Sequence, residues 1–206
     1  MKTIVGVLAG FVLSVAAYAQ DYTEAERKAA EEQAESELIR AEIVDINRDL
    51  IRVRTITKDD DGKRKFVSDS MSDMTQCGAF RIAQANMLEA DQPGSGAAFR
   101  ERGAYFEMHL VLLAQAAGRV LGEPELEGNI KAELSKKGAD WVKQHFEAMA
   151  YKTAAQKEHV DYWSERCDRM EEMLNRQLER RARNQVTPNA IKERANELLA
   201  ENKVNP

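Results

Sequence analysis

Apolar residues recur at alternating steps of four and three along this chain, and that repeat fits an α-helix with one buried face. The longest run of this kind holds its register for ten positions: Val142, Phe146, Met149, Thr153, Gln156, Val160, Trp163, Cys167, Met170 and Leu174. It predicts one long helix over about 139–183. Four prolines stand in 206 residues, so few positions force a helix to end.

A second run marks the helix that we expect at the centre of the fold. Its positions are Phe99, Gly103, Phe106, Leu110, Leu113, Ala117 and Val120. Glu107 is the one charged residue between Tyr105 and Gly118, so this helix is apolar on nearly every side. Helices of that kind lie in the interior of a bundle. Gly122 and Pro124 follow and predict its end.

Shorter patterns predict the remaining helices. One helix has its apolar face at Ile39, Ile43, Ile46 and Leu50. Another begins near Ser70 or Ser72, either of which can cap it, and runs through Cys77 to about Glu89. Thr187-Pro188 supplies a cap and a first-turn proline for a last helix. Residues 20–37 are polar and have little to bury, so we expect a frayed helical N-terminus there.

The segment 51–68 has two interpretations. The helical repeat continues from Leu50 to Val53 and is compatible with a longer helix, and the competing interpretation is a strand. Ile51 to Thr55 alternates β-branched and charged residues, and Lys65 to Val67 follows a polar turn, a pattern typical of a short β-hairpin. We expect the preceding helix to end near residue 50, with this hairpin after it. The overall prediction is an all-α, up-and-down bundle of four to five helices that forms one domain over 38–206.

The N-terminus has the features of a bacterial secretory signal. Lys2 supplies the positive charge, an uncharged run follows from Ile4 to Ala17, and small residues flank Tyr18. We therefore expect residues 1–19 to be a signal peptide that is cleaved after Ala19. The competing interpretation is an uncleaved anchor, but about 14 apolar residues fall short of the roughly 20 that cross a membrane. The expected location is periplasmic or secreted, with no transmembrane segment in the mature chain.

The chain has two cysteines, Cys77 and Cys167. In an exported protein such a pair favours a disulfide, because the compartment is oxidising. Both cysteines fall on predicted buried helix faces, which favours a structural cross-link between two helices. Free thiols or a redox pair are the alternatives, although the close Cys-x-x-Cys spacing of redox proteins is missing.

Few residues have the spacing that catalysis or metal binding requires. The three histidines lack metal-ligand spacing, and we expect no metal, no cofactor and no catalytic residue. A charge among apolar neighbours needs a reason, so Glu107 and His109, together with Trp163, form a candidate ligand pocket. The competing interpretation places His109 and Trp163 in the core as packed side chains.

Charge argues against one class of partner. The chain has 30 basic and 35 acidic residues, whereas general nucleic-acid binders are basic. Four arginines cluster near the end of the predicted long helix: Arg176, Arg180, Arg181 and Arg183. They are a weak candidate contact with an anionic surface, and the alternative is that they complement the dipole of the helix C-terminus.

Three classes of function are compatible with these patterns. A soluble protein-binding or structural factor of the bacterial envelope, with another envelope protein as its partner, fits long amphipathic helices and missing catalytic spacing. A small-ligand or cofactor carrier with a pocket in the bundle core is the alternative. An enzyme is the least favoured class.

Overall fold

The computed structural model describes residues 22–204, apart from the side chains of 131, 133–135 and 202–204. It shows seven α-helices and one π-helical turn: α1 (Glu24–Arg54), α2 (Asp60–Asp91), α3 (Ala97–Leu121), α4 (Leu126–Ala148), α5 (Ala154–Met173), the π-helical turn (Leu174–Glu179), α6 (Arg180–Gln185) and α7 (Pro188–Val204). Strands are absent from the described residues, which confirms the all-α prediction. The predicted signal peptide, residues 1–19, lies outside the described residues.

The predicted β-hairpin over 51–68 is wrong. α1 continues through Ile51, which is buried, to Arg54, and α2 begins at Asp60, well before Ser70. The side chain of Asp59 accepts a hydrogen bond from the backbone N–H of Gly62 at 2.8 Å and so caps α2. The polar turn of the supposed hairpin is therefore a helix start, because aspartates satisfy the free N–H groups of a first helical turn.

The predicted long helix over 139–183 is split, which is one reason why seven helices replace the four to five expected. α4 ends at Ala148, and Tyr151 adopts a left-handed backbone with φ of 51°. α5 then begins with a capping box, in which Thr153 accepts from the Gln156 N–H at 3.2 Å and the Gln156 side chain accepts from the Thr153 N–H at 3.0 Å. Thr153 and Gln156, the two polar members of the apolar run, therefore mark the point where α4 has ended and α5 begins.

The main core contains residues from every helix from α1 to α6. Ile43 of α1, Phe80 of α2 and Phe106 of α3 are each almost fully buried there. α2 and α3 approach closely at Gly103, where an added Cβ would lie 2.9 Å from the Ile82 Cδ1 atom. α3 starts at Ala97 and ends at Leu121 with Gly122 in the left-handed region at φ of 70°, as the sequence predicted.

A second, smaller cluster lies between the N-terminal part of α1 and α7. Its buried members are Ala30, Ala34, Ala195, Leu198 and Leu199. The Tyr22 hydroxyl donates to the Leu199 carbonyl at 3.1 Å, and the Arg194 Nε donates to Glu37 at 2.9 Å. The start of α1 thus meets the end of α7, so the two helices run antiparallel.

Candidate functional site

A disulfide joins Cys77 of α2 to Cys167 of α5, as the sequence predicted. Both residues are completely buried, and their Cα atoms lie 5.3 Å apart, within the usual range for a disulfide. The bond holds α5 against α2 beside two polar groups of residues, and these groups are the most unusual feature of the interior.

The first group is an ion cluster of Arg81, Arg102, Asp168 and Glu171. The Arg81 side chain is 1% exposed, and its Nη2 donates to Asp168 at 2.5 Å and to Glu171 at 3.3 Å. Arg102 binds the same two carboxylates, each at 2.6 Å. Burial, with the charge of Arg102 beside it, lowers the pKa of Arg81. The two carboxylates balance the charges of the two arginines, which offsets the cost of burying Arg81, while the Asp168 side chain is 55% exposed.

The carboxylate of Asp168 is held ionised within this cluster. Its partial burial raises the pKa, but hydrogen bonds and charges from Arg102 and Arg81 outweigh that effect and leave the pKa below its ordinary value. The Gln84 side chain accepts from Arg81 Nη1 at 2.8 Å and completes the contacts of that nitrogen. The cluster therefore joins α2, α3 and α5 by charge-assisted hydrogen bonds.

The second group is a histidine pair at the other side of the disulfide. The Nδ1 atom of His145 lies 2.9 Å from the Nε2 atom of His159. The rings of Phe80 and Trp163 each stand edge-on to the His145 ring with centroids 5.4 Å away. Burial and the neighbouring His159 lower the pKa of His145 to about 4, and burial lowers that of His159 as well. The pair is neutral at pH 7.

His109 binds a carboxylate that the π-helical turn supplies. Its Nε2 atom lies 3.2 Å from Glu179 Oε1, and the side chain is fully buried. Burial lowers the pKa of His109 although Glu179 favours the charged form. The ring of Tyr105 packs against His109 with centroids 4.6 Å apart, and burial raises the pKa of its hydroxyl. π-helical turns within α-helices are common at functional positions.

The three residues of the sequence-predicted pocket lie in different surroundings. His109 contacts Glu179 and Tyr105, and Trp163 contacts the histidine pair. Glu107 is exposed on the outer surface of α3. The sequence interpretation missed Arg81, although it stands between Phe80 and Ile82 in an apolar stretch of α2. The rule that selected Glu107, a charge among apolar neighbours, also applies to Arg81.

Glu107 lies where two open grooves meet on α3. The α1 groove, of about 580 Å³, runs between α1 and α3 and includes Val44 and Met108. The α4 groove, of about 440 Å³, runs between α2, α3 and α4. Three residues line both grooves, and with Met108 they form what we call the α3 face: Ala104, Glu107, Met108 and Val111. On this face Ala104 and Glu107 are exposed, whereas Met108 and Val111 are half-buried and Met108 also packs against the main core.

The four arginines near the end of the predicted long helix divide into two kinds. Arg176 pairs with Glu172 at 2.9 Å, and Arg183 lies 3.4 Å from Glu35 of α1. Arg180 and Arg181 are exposed and form no ion pair or hydrogen bond with the described residues. Two of these four arginines, Arg176 and Arg183, therefore form ion pairs within the molecule.

Within residues 22–204, no three histidine, cysteine or acidic side chains converge in a way that would hold a metal ion. No helix in that range combines the length and apolarity needed to cross a bilayer. No protein-family model matches the chain, and no characterised protein or solved structure shows significant similarity to it.

Proposed function

We propose that this chain is an exported interaction protein of the bacterial envelope, and that its α3 face binds an amphipathic helix of a partner protein. One observation carries the proposal. The most apolar helix of the fold has a row that the other described helices cover only in part, with a groove on each side. Interior helices of a bundle are normally covered on every apolar side.

The spacing of the α3 face matches helix docking. Ala104, Glu107, Met108 and Val111 follow one another at steps of three, one and three, which places them on one side of a helix. A partner helix that lies along this row presses its own rows of side chains into the two grooves. Met108 adapts its shape to different neighbours, and Glu107 selects a partner with a basic residue at the matching position.

Two features support an envelope location. The N-terminal residues have the charge, apolar run and cleavage pattern of a secretory signal. The Cys77–Cys167 disulfide is a bond that persists in oxidising compartments and is rare in the cytosol. A protein that works outside the cytoplasm also gains from a cross-link that resists local unfolding.

A small-ligand carrier is the second candidate, and the α4 groove supports it. Its volume of about 440 Å³ lies within the range of ligand sites, and Met74, Phe106 and Leu110 line it. Ligand sites of this kind enclose most of their ligand, whereas this groove is open along one side. Helix docking therefore agrees better with its shape.

A photo-crosslinking residue placed at position 111 tests the proposal in intact cells. We expect one adduct, and its crosslinked peptide should have the apolar spacing of an amphipathic helix. The matched control carries the same residue in place of Met173, an exposed apolar side chain of α5 that is 40% exposed. It should give no such adduct.

With the captured partner in hand, Val111→Glu should weaken binding about tenfold or more, and Met173→Glu should leave it unchanged. An adduct with a second copy of this chain, an equal adduct at position 173, or the absence of any adduct contradicts the proposal. A small molecule that co-purifies and is displaced by Val111→Glu would favour the carrier instead.

A further inference from the structure

The connection between α1 and α2 exposes large aliphatic side chains. We call residues 50–58 the α1–α2 tip. Leu50 is 41% exposed, Val53 69% and Ile56 83%. Leu50 and Val53 lie one helical turn apart, and Ile56 follows beyond the end of α1. Single exposed apolar residues are ordinary, but three that follow one another at one end of the molecule need an explanation.

The tip is also where unpaired positive charge collects. Arg52, Arg54 and Lys58 are exposed, and none of their side chains forms an ion pair or hydrogen bond with a described residue. The neighbouring acids have partners: Asp60 binds Lys63 at 2.9 Å and Asp61 lies 3.3 Å from Arg64.

The remaining two acids near the tip are engaged as well. Asp49 lies 3.5 Å from Arg48, and Asp59 caps α2. Residues 48–64 contain six basic and four acidic residues, in a chain whose totals are 30 basic and 35 acidic. The tip is thus locally positive on a protein that is negative overall.

The backbone holds the tip in a defined shape. Thr55 is buried, and its hydroxyl donates to the Ile51 carbonyl at 2.6 Å. Its N–H donates to the same carbonyl at 3.0 Å, and the Lys58 N–H donates to the Thr55 carbonyl at 2.9 Å. These bonds turn the chain tightly between α1 and α2, so the backbone of the tip needs little ordering when it binds a partner.

We propose that the α1–α2 tip binds an anionic lipid surface. Val53 and Ile56 enter the apolar boundary of the headgroups, while Arg52, Arg54 and Lys58 contact the lipid phosphates. Exposed aliphatic side chains that alternate along the chain with exposed cations suit a bilayer surface, which offers apolar chains beneath anionic headgroups. An acidic protein partner would require a concave site of its own to enclose the tip, and the tip has no aromatic residue of the kind that dominates protein interfaces.

Vesicle co-sedimentation of the purified full chain tests this inference. We expect binding to vesicles of phosphatidylcholine with 30% phosphatidylglycerol, little binding to pure phosphatidylcholine, and loss of binding at high salt. Arg52→Gln with Arg54→Gln should weaken binding roughly 30-fold, about fivefold for each cation removed. Ile56→Asp should weaken it about tenfold or more through its loss of apolar burial.

The matched control is Arg180→Gln with Arg181→Gln. It removes two exposed, unpaired arginines and changes the net charge equally, but on α6. We expect it to leave vesicle binding within about twofold of the unchanged chain. Equal losses in the two double variants, equal binding to both kinds of vesicle, or unchanged binding after Ile56→Asp would overturn the proposal. Circular dichroism melts of each variant show that the fold is intact.

Discussion

One ring nitrogen of His145 lies 2.9 Å from one ring nitrogen of His159. At this distance a single proton between the two nitrogens forms a hydrogen bond. In the neutral pair, one ring donates this hydrogen bond and the other ring accepts it. When both rings are protonated, two N–H groups and two positive charges face each other beside Phe80 and Trp163, where little water can screen them. The folded protein therefore resists protonation of this pair.

The pH dependence of stability follows from this resistance. The pKa of His145 is lowered from 6.5 to about 4 in the folded protein, so its contribution is complete above pH 6.5 and is lost as the pH falls towards 4. Between pH 7 and pH 5 we expect His145 to account for a loss of about 2 kcal/mol in the free energy of unfolding.

Urea unfolding of the natural chain and of His145→Phe, at pH 7 and at pH 5, measures this loss. The aromatic replacement keeps the contacts with Phe80 and Trp163 and removes the titrating group. We expect the variant to lose about 2 kcal/mol less than the natural chain over that interval. His109 and Asp168 titrate in both proteins, so their effects cancel in the comparison. An equal loss in both would show that His145 does not carry the effect.

At the scale of helices, α5 is attached to the rest of the fold in an unusual way. Val160 and Trp163 are the buried apolar side chains of α5 besides Cys167, and the disulfide and the ion cluster also connect this helix to α2 and α3. Ion pairs of this kind add little net stability compared with apolar packing, although they specify one arrangement. We infer that the covalent bond is what keeps α5 in place.

Loss of the disulfide should therefore destabilise the protein by the same amount whichever cysteine is removed. Cys77→Ser, Cys167→Ser and the double variant should all lower the melting temperature equally. The residues lie 90 apart in sequence, for which the chain-entropy model gives about 4–5 kcal/mol as an upper value.

Differential scanning calorimetry measures these melting temperatures, and a reductant should lower that of the natural chain but not those of the variants. Hydrogen exchange of the variants should increase most in α5 and least in α3, which the main core surrounds. Unchanged melting in both single variants would mean that the bond does not stabilise the fold.

The sequence predicted which segments are helical more accurately than it predicted where each helix begins and ends. The apolar repeat was correct on both sides of the break at 149–153, because Val142 of α4 and Val160 of α5 both pack on the core. It did not reveal the break, since Thr153 and Gln156 also fit the repeat. Their capping box is a local signal that the sequence contains, as is the Asp59 cap that displaced the predicted hairpin.

For the whole molecule, the division of the core into two clusters matters most. α1 is 31 residues long and belongs to both, because Ala30 and Ala34 pack against α7 while Ile43 and Ile51 lie in the main core. The smaller cluster consists mainly of alanines and two leucines, so it buries little apolar surface. We expect it to open more readily than the main core.

Two substitutions of the same type test this expectation. Leu198→Ala and Leu113→Ala remove the same atoms from side chains that are each 6% exposed, the first in the smaller cluster and the second in the main core. Leu198→Ala should increase hydrogen exchange in 24–37 and 188–204 and leave α2 and α3 unchanged. Leu113→Ala should lower the global free energy of unfolding by about 2–5 kcal/mol. Uniformly faster exchange after Leu198→Ala would indicate a single cooperative core.

By itself, the sequence determined that most of the described chain is helical, where α3 ends and α7 begins, and that Cys77 and Cys167 join two helices. These properties depend on local spacing, caps and helix formers, which neighbouring residues specify. The tertiary structure alone decided which polar residues meet. Arg81 finds Asp168 and Glu171, and His145 finds His159, only after α5 has folded back onto α2 and α4. Such contacts depend on how helices that are far apart in sequence pack together. A local sequence pattern does not predict that packing.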